Sequence, residues 1–477
     1  MTKNGKIATG VVVAAVIVVG GFYIYGKKQV DTIEQHINEA VAQLQPMLPK
    51  GTIQNNVFNK GTFESNGIYT LDIDDGKEKQ KVVVNYNIQH GVDSYFTGRY
   101  KVHSTTNLEG TIKQVLKFNG PVMTTEGVVT RSGNMDLDNK IPEITLEVND
   151  EESKGSVVIA PSTQTVKYDH SSGDIKTLAK LPLMTINEEN PYSGKTKVDI
   201  KDMTVKRDFN KKQTSLGDFN INIKAVDSEQ AQLENIDVNS KVELKDSKYN
   251  LHADAKIDKI TIPMLNEKDA SLEVSYSLNG LDSGVANYYA GLYEKYQNKE
   301  ELKPEDKAKS IEQMKVLLAK GVTLSLDKFA AKGSFGSFDI DGKFLTNSGS
   351  PDTFTLDKNS ELSLNIKGDG KVADLLAMGI YTNGGIPVEN KKTESLDFKA
   401  HYKEGKLVVD GKEVEHHPIP MMIQNSLKET DYKLGFTKEF QPVRPSGFGV
   451  PSNGIIEEDD EIELVEPPAY QNPQTNQ

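Results

Sequence analysis

From residue 52 onward, apolar residues recur at every second position, and a chain patterned this way has few folds open to it. Val82, Val84, Tyr86 and Ile88 alternate with Val83, Asn85 and Asn87. In an extended strand successive side chains point to opposite faces, so this spacing gives one apolar and one polar face. Leu71 and Ile73 alternate with Asp72 and Asp74 ahead of a turn signal at Asp75-Gly76, which makes a hairpin. The pattern returns at Val198 and Ile200, at Phe219, Ile221 and Ile223, and at Ile236 and Val238. It continues through Val242 and Leu244, then Leu251 to Ile257, then Leu272, Val274, Tyr276 and Leu278. A helical period is suggested over 52–281 only weakly, around residues 108–118. Short strands in series predict a mainly β fold: an extended antiparallel sheet, meandering or curved, rather than alternating strand–helix units.

Two helices interrupt the strands over residues 282–321. Asp282 caps a segment in which Val285, Tyr288, Leu292 and Tyr296 share a face, with Tyr289 and Tyr293 beside them. Pro304 opens a second segment that Gly321 closes, with Ala308, Ile311, Met314 and Leu318 on one face. The β-rich body then runs over 50–281 and again over 322–439. The later part includes expected strands at Phe354 and Leu356 and a last hairpin across Glu404-Gly405. Short helices are expected at residues 372–379 and 421–428.

The ends differ from the body. Residues 7–25 carry no charge over nineteen positions. At 1.5 Å per residue they cover roughly 28 Å, close to the bilayer core. Lys3 and Lys6 precede them, Lys27 and Lys28 follow, and Tyr23 and Tyr25 stand at one interface. The run is longer than a signal-peptide core and no A-x-A-like site follows it, so residues 1–28 read as a cytoplasmic tip and uncleaved transmembrane anchor. Val30, Ile33, Ile37, Val41 and Leu44 then mark an amphipathic helix over 29–45. Residues 440–477, rich in proline and acidic from Glu457 to Glu461, form a tail that cannot assemble a core.

Composition excludes several chemistries. There is no cysteine among the 477 residues, so no disulfide framework, zinc ribbon, iron–sulfur site or cysteine nucleophile is available. A net charge of −13 argues against nucleic acid as a partner. No N-x-[ST] acceptor occurs, which gives no support to a eukaryotic secretory context. The resulting expectation is a single-pass bacterial inner-membrane protein, N-terminus cytoplasmic and body periplasmic.

Few residues suggest chemistry. His90-Gly91 ends a strand, and with no identifiable acidic or nucleophilic partner it reads as a structural turn. Glu413, Glu415, His416 and His417 cluster without four-ligand spacing, so no metal site is assigned. Phosphate-loop, nucleophile-elbow and zinc-protease motifs are absent, and no cofactor is implied. Tyr288, Tyr289, Tyr293 and Tyr296 form an aromatic helix face, either packed on the sheet or offered to a lipid or protein partner.

Three pieces in order carry a resemblance: Gly26-Lys27-Lys28 with its amphipathic helix, the stretch Asn59-Lys60-Gly61-Thr62-Phe63-Glu64-Ser65, and the strand over 82–89 ending at His90-Gly91. Together with the helical hairpin and the closing strands near residues 403–409, they make the chain resemble the YdgA-like family of bacterial envelope proteins, a domain of unknown function, over about residues 1–430. The family typically places Pro-Phe after His-Gly, where this chain has Val92-Asp93. The resemblance implies an inner-membrane protein with a periplasmic body and brings no catalytic residues. Two roles are expected, neither enzymatic. The first is an envelope interaction or scaffold protein that binds another envelope protein or a second copy of itself, and the alternative is a module binding lipid or another hydrophobe along an apolar sheet face.

Overall fold

Alternation becomes sheet along most of the chain. The computed structural model describes residues 51–74, 79–110, 116–149, 154–190, 194–210, 213–297, 303–351, 353–384, 394–414 and 418–443. The anchor segment of residues 7–25, the amphipathic stretch 29–45, the Asp75-Gly76 turn and the acidic tail lie outside the described residues. Within them, twenty-two strands join one sheet, and neighbours pair antiparallel. The protein is mainly β with few helices.

The first ten strands are β1 (Gly51–Asn59), β2 (Glu64–Asp74), β3 (Lys79–Gln89), β4 (Arg99–Gly110), β5 (Leu116–Lys117), β6 (Met123–Thr130), β7 (Met135–Ile141), β8 (Ile144–Asn149), β9 (Lys154–Ile159) and β10 (Ser162–Tyr168). A short helix, α1 (Val92–Thr97), links β3 to β4. Two ladders converge on β11 (Asp174–Asn190): its first half pairs with β10 and its second half with β9. Leu71, Val84, Ile88, Val129, Leu137 and Val166 are buried together here, so this end has a closed core.

The middle is different. Strands β12 (Gly194–Asn210), β13 (Gln213–Ser228), β14 (Gln232–Lys245), β15 (Lys248–Ile262) and β16 (Glu267–Asp282) are long and pair in sequence order. Among the described residues of β12–β15, Ala253 alone is fully buried. Their apolar side chains are half-buried, as expected for a single sheet layer with one partly open apolar face.

The far end regains a core. Helices α2 (Ser283–Gln297) and α3 (Pro304–Ala319) form the hairpin after β16. Then come β17 (Thr323–Gly333), β18 (Gly336–Thr346), α4 (Leu356–Asn359), β19 (Ser360–Gly370), α5 (Lys371–Gly384), β20 (Ser395–Lys403), β21 (Lys406–Val409), β22 (Lys412–Glu413) and α6 (Pro418–Lys433). Helix α5 lies on the sheet through Ala373 and Ala377, against Ile366, Leu396 and Phe398. Gly368 permits this approach, because a Cβ there would stand 3.0 Å from the Ala373 Cα.

Two local expectations need correction. Residues 108–110 belong to β4 and 116–117 to β5, so no helix spans 108–118; Leu108 pairs with Val82 and is buried in the first core. Phe354 and Leu356 do not form a strand. Leu356 begins α4, where the buried Asp431 carboxylate accepts the N–H groups of Leu356 (2.6 Å) and Asp357 (3.2 Å). His90-Gly91 leads directly into α1, with Gly91 at its N-cap.

Candidate functional site

Register turns the alternating residues into continuous apolar rows. One row reads Ala179, Val205, Ile221, Val238, Ala255, Val274, Phe329, Ile340, Ile366 and Phe398, each opposite the next on neighbouring strands β11–β20. Nine inter-strand steps of about 4.8 Å make this row roughly 43 Å long. It runs half-buried through the middle strands and becomes fully buried only at Ile366 and Phe398, beneath α5.

The next row explains where space opens. Leu326 on β17 faces Gly342 on β18, which faces Leu364 on β19 and then Ala400 on β20. Two of these four residues have little or no side chain, while the flanking row carries Phe344, Leu362, Tyr402 and Leu407. The result is a groove of about 800 Å³, a size typical of small-molecule sites. Its floor is Leu326, Leu364 and Ala400; Ile380 of α5 and Ile419 and Ile423 of α6 provide its helical walls. At its open side stand Tyr276 and Leu324, both largely exposed, where the groove passes onto the apolar face of the long strands. The lining is almost wholly apolar, and Tyr402 is its only buried phenol, with burial pushing its pKa up to about 12. Lys343 is the one charged residue in this lining, so what the groove offers is chiefly apolar surface shielded from water.

The residues singled out from sequence sit elsewhere. Tyr288 and Tyr289 tie the helical hairpin together: their hydroxyls donate to the carbonyls of Asp306 (2.9 Å) and Ser310 (2.8 Å), and their rings meet edge to face. Tyr293 is exposed, and Tyr296 lies in the last turn of α2 with its side chain outside the described set. Of the three described side chains, Tyr288 and Tyr289 pack within the hairpin and Tyr293 stands at the surface.

His90 is buried, its Nε2 lies 2.8 Å from the Ser65 Oγ, and its N–H donates to the Phe63 carbonyl at 2.8 Å. Gly91 precedes α1 with φ −63°, and a Cβ there would meet nothing. That geometry ties the ends of β2 and β3. Among the described residues, no three His, Asp or Glu side chains are grouped to hold a metal ion; Glu415, His416 and His417 lie outside them. Among the described residues, no helix is long and apolar enough to cross a membrane.

Sequence reading missed the groove residues as a set. The coincidence of Gly342 and Ala400 in one row depends on register, which no single strand displays.

The fold and groove together define a β-rich protein with a long apolar sheet face leading into an open apolar site. A family described as "Bacterial protein of unknown function (DUF945)" matches residues 1–383, and the chain belongs to that family. The match ends within α5, short of the resemblance expected to about residue 430. No curated protein and no solved structure matches the chain.

Proposed function

We propose that this protein binds the hydrocarbon part of a lipid or similar hydrophobe in the groove between β16–β21 and helices α5 and α6, while anchored to the bacterial inner membrane through residues 7–25 with its body in the periplasm. The observation that carries the reading is the groove itself, apolar, about 800 Å³ and open onto a further apolar face. Each methylene moved from water into such a site contributes roughly 0.8 kcal/mol, so an acyl chain has sufficient driving force without a polar anchor. The nineteen uncharged residues of the anchor, with lysines at both ends, support the membrane placement. No catalytic step and no cofactor enter this reading. The envelope scaffold role stands second, because it leaves the groove without a use.

The test uses full-length protein in amphipol, titrated with a naphthylamine-type hydrophobic probe, alongside mass spectrometry of lipids that copurify. Ala400→Phe fills the groove floor from a strand position that tolerates aromatic residues. We expect the probe to bind the native protein and its affinity to fall at least about tenfold in the variant, a loss of roughly 1.4 kcal/mol. Equal binding by both proteins, with unchanged circular dichroism, would overturn the groove as the site.

A further inference from the structure

We infer that one edge of this sheet, formed by the β15–β16 and β17–β18 connections and the start of α5, dips into the surface of a lipid bilayer. The inference rests on the groove reading in one respect only, since α5 also walls the groove. Antiparallel register brings these three connections to a common edge: β15 ends there at Ile262, β17 at Gly333 and β19 at Gly370. They touch as well as align. The Glu267 carboxylate accepts the Ser334 N–H at 2.8 Å, and the Val372 N–H donates to the Phe335 carbonyl at 3.2 Å.

At this edge large apolar side chains stand in water. Met264 is 90% exposed, Phe335 59% and Leu375 63%, with Leu265 and Met378 beside them. Singly, exposed apolar residues are ordinary; grouped on adjoining loop tips they mark an interaction surface. At the opposite ends of these strands the Asp246-Ser247 turn carries no large apolar group, and the hairpin exposes Tyr293 and Ile311 on separate helices, α2 and α3.

Several features select a bilayer as the occupant. Met264, Leu265 and Phe335 protrude from the strand connections and Leu375 and Met378 from α5, as suits insertion between lipid headgroups. Lys371 lies over the Phe335 ring at 5.9 Å, and Lys332 precedes the same turn, so ammonium groups stand where headgroup phosphates would lie. By register the chain also enters the sheet on this side, at Gly51 opposite Ile73, 25 residues after the segment assigned to the membrane and eleven strands along from β15. Docked this way, α5 stands between the bilayer and the groove.

Because the chain has no native cysteine, single-cysteine variants label cleanly. Full-length Met264→Cys, Phe335→Cys, Leu375→Cys and, as control, Lys206→Cys on an exposed position of β12 are labelled with an environment-sensitive fluorophore. They are reconstituted in vesicles of phosphatidylethanolamine and phosphatidylglycerol carrying doxyl lipids. We expect blue-shifted emission and several-fold stronger quenching at positions 264, 335 and 375 than at 206. Equal quenching at all four positions, whether strong or absent, overturns the inference. Probe binding measured on the same reconstituted proteins separates the two readings: dry tips with binding intact sink only the membrane edge, and embedded tips without binding sink only the groove.

Discussion

Asp282 joins sheet to helix with one carboxylate. Its Oδ1 accepts the N–H groups of Gly284 (3.0 Å) and Val285 (3.2 Å), which caps α2, and its Oδ2 meets the Lys320 ammonium at 2.6 Å beyond the end of α3. The Lys320 contact, with the two N–H groups, holds this carboxyl below the usual range despite partial burial. Since the folded pKa is depressed, the stabilisation is present above the unfolded value near 3.9 and is lost as pH falls through the folded value. Asp282→Ala is expected to cost about 1 kcal/mol at neutral pH, the usual loss for a helix cap. Urea titration checks this; native and variant midpoints should converge in acid, and a constant gap down to pH 2 would refute the assignment. The cap itself is legible in the chain, because aspartate before a helical period is a known start signal. Its salt link to Lys320 is not, since 38 residues separate the partners.

At the scale of elements, the seat of α5 is decided by close approach. Gly368 leaves no room for a branched side chain beneath Ala373. Gly368→Val is therefore expected to lift α5 from the sheet, destabilise the protein by roughly 1–3 kcal/mol as overpacking does, and open the groove wall. Thermal unfolding and probe affinity should both change; an unaltered melting temperature would show that α5 tolerates the displacement.

The long strands share a break in their alternation. Leu181 and Met184, Ile200 and Met203, Ile223 and Val226, Leu233 and Ile236, and Ile257 and Ile260 are each spaced by three. A step of three would turn the apolar face over in a regular strand. Here the step falls at one row, where Pro182 cannot donate to the ladder and Asp202 and Asn235 take left-handed φ of 50° and 53°. The register is the same on both sides of that row, so paired strands take the same step together. Each slip is visible in the chain, but read strand by strand it looks like a strand end. Only its recurrence in five paired strands gives it meaning.

At the scale of the molecule, two cores are joined by a single layer. The first contains Leu71, Val84 and Ile88 and the second Ile366, Leu396 and Phe398, while β12–β15 bury little of their apolar face. Amides of β12–β15 are expected to open at lower free energy than those of β3, β4 and β6, as regions with few buried apolar contacts do. Hydrogen exchange read by mass spectrometry should show this order, and a bound hydrophobe should slow exchange in β17–β20. Uniform protection along the sheet would contradict a single open layer.

Local pattern and composition were enough to establish antiparallel strands, the helical hairpin with its aspartate cap and proline start, and the lack of chemistry that requires cysteine, because none of these depends on which distant residues become neighbours. The groove, the buried Asp431 clasp on α4 and the apolar edge are of another kind. Each arises where register sets distant residues side by side: Gly342 beside Leu326 and Leu364, Asp431 against Leu356, Phe335 against Val372. A period of two says which face a side chain occupies but not which neighbour it meets, and that choice of neighbour is what opens a site in this sheet.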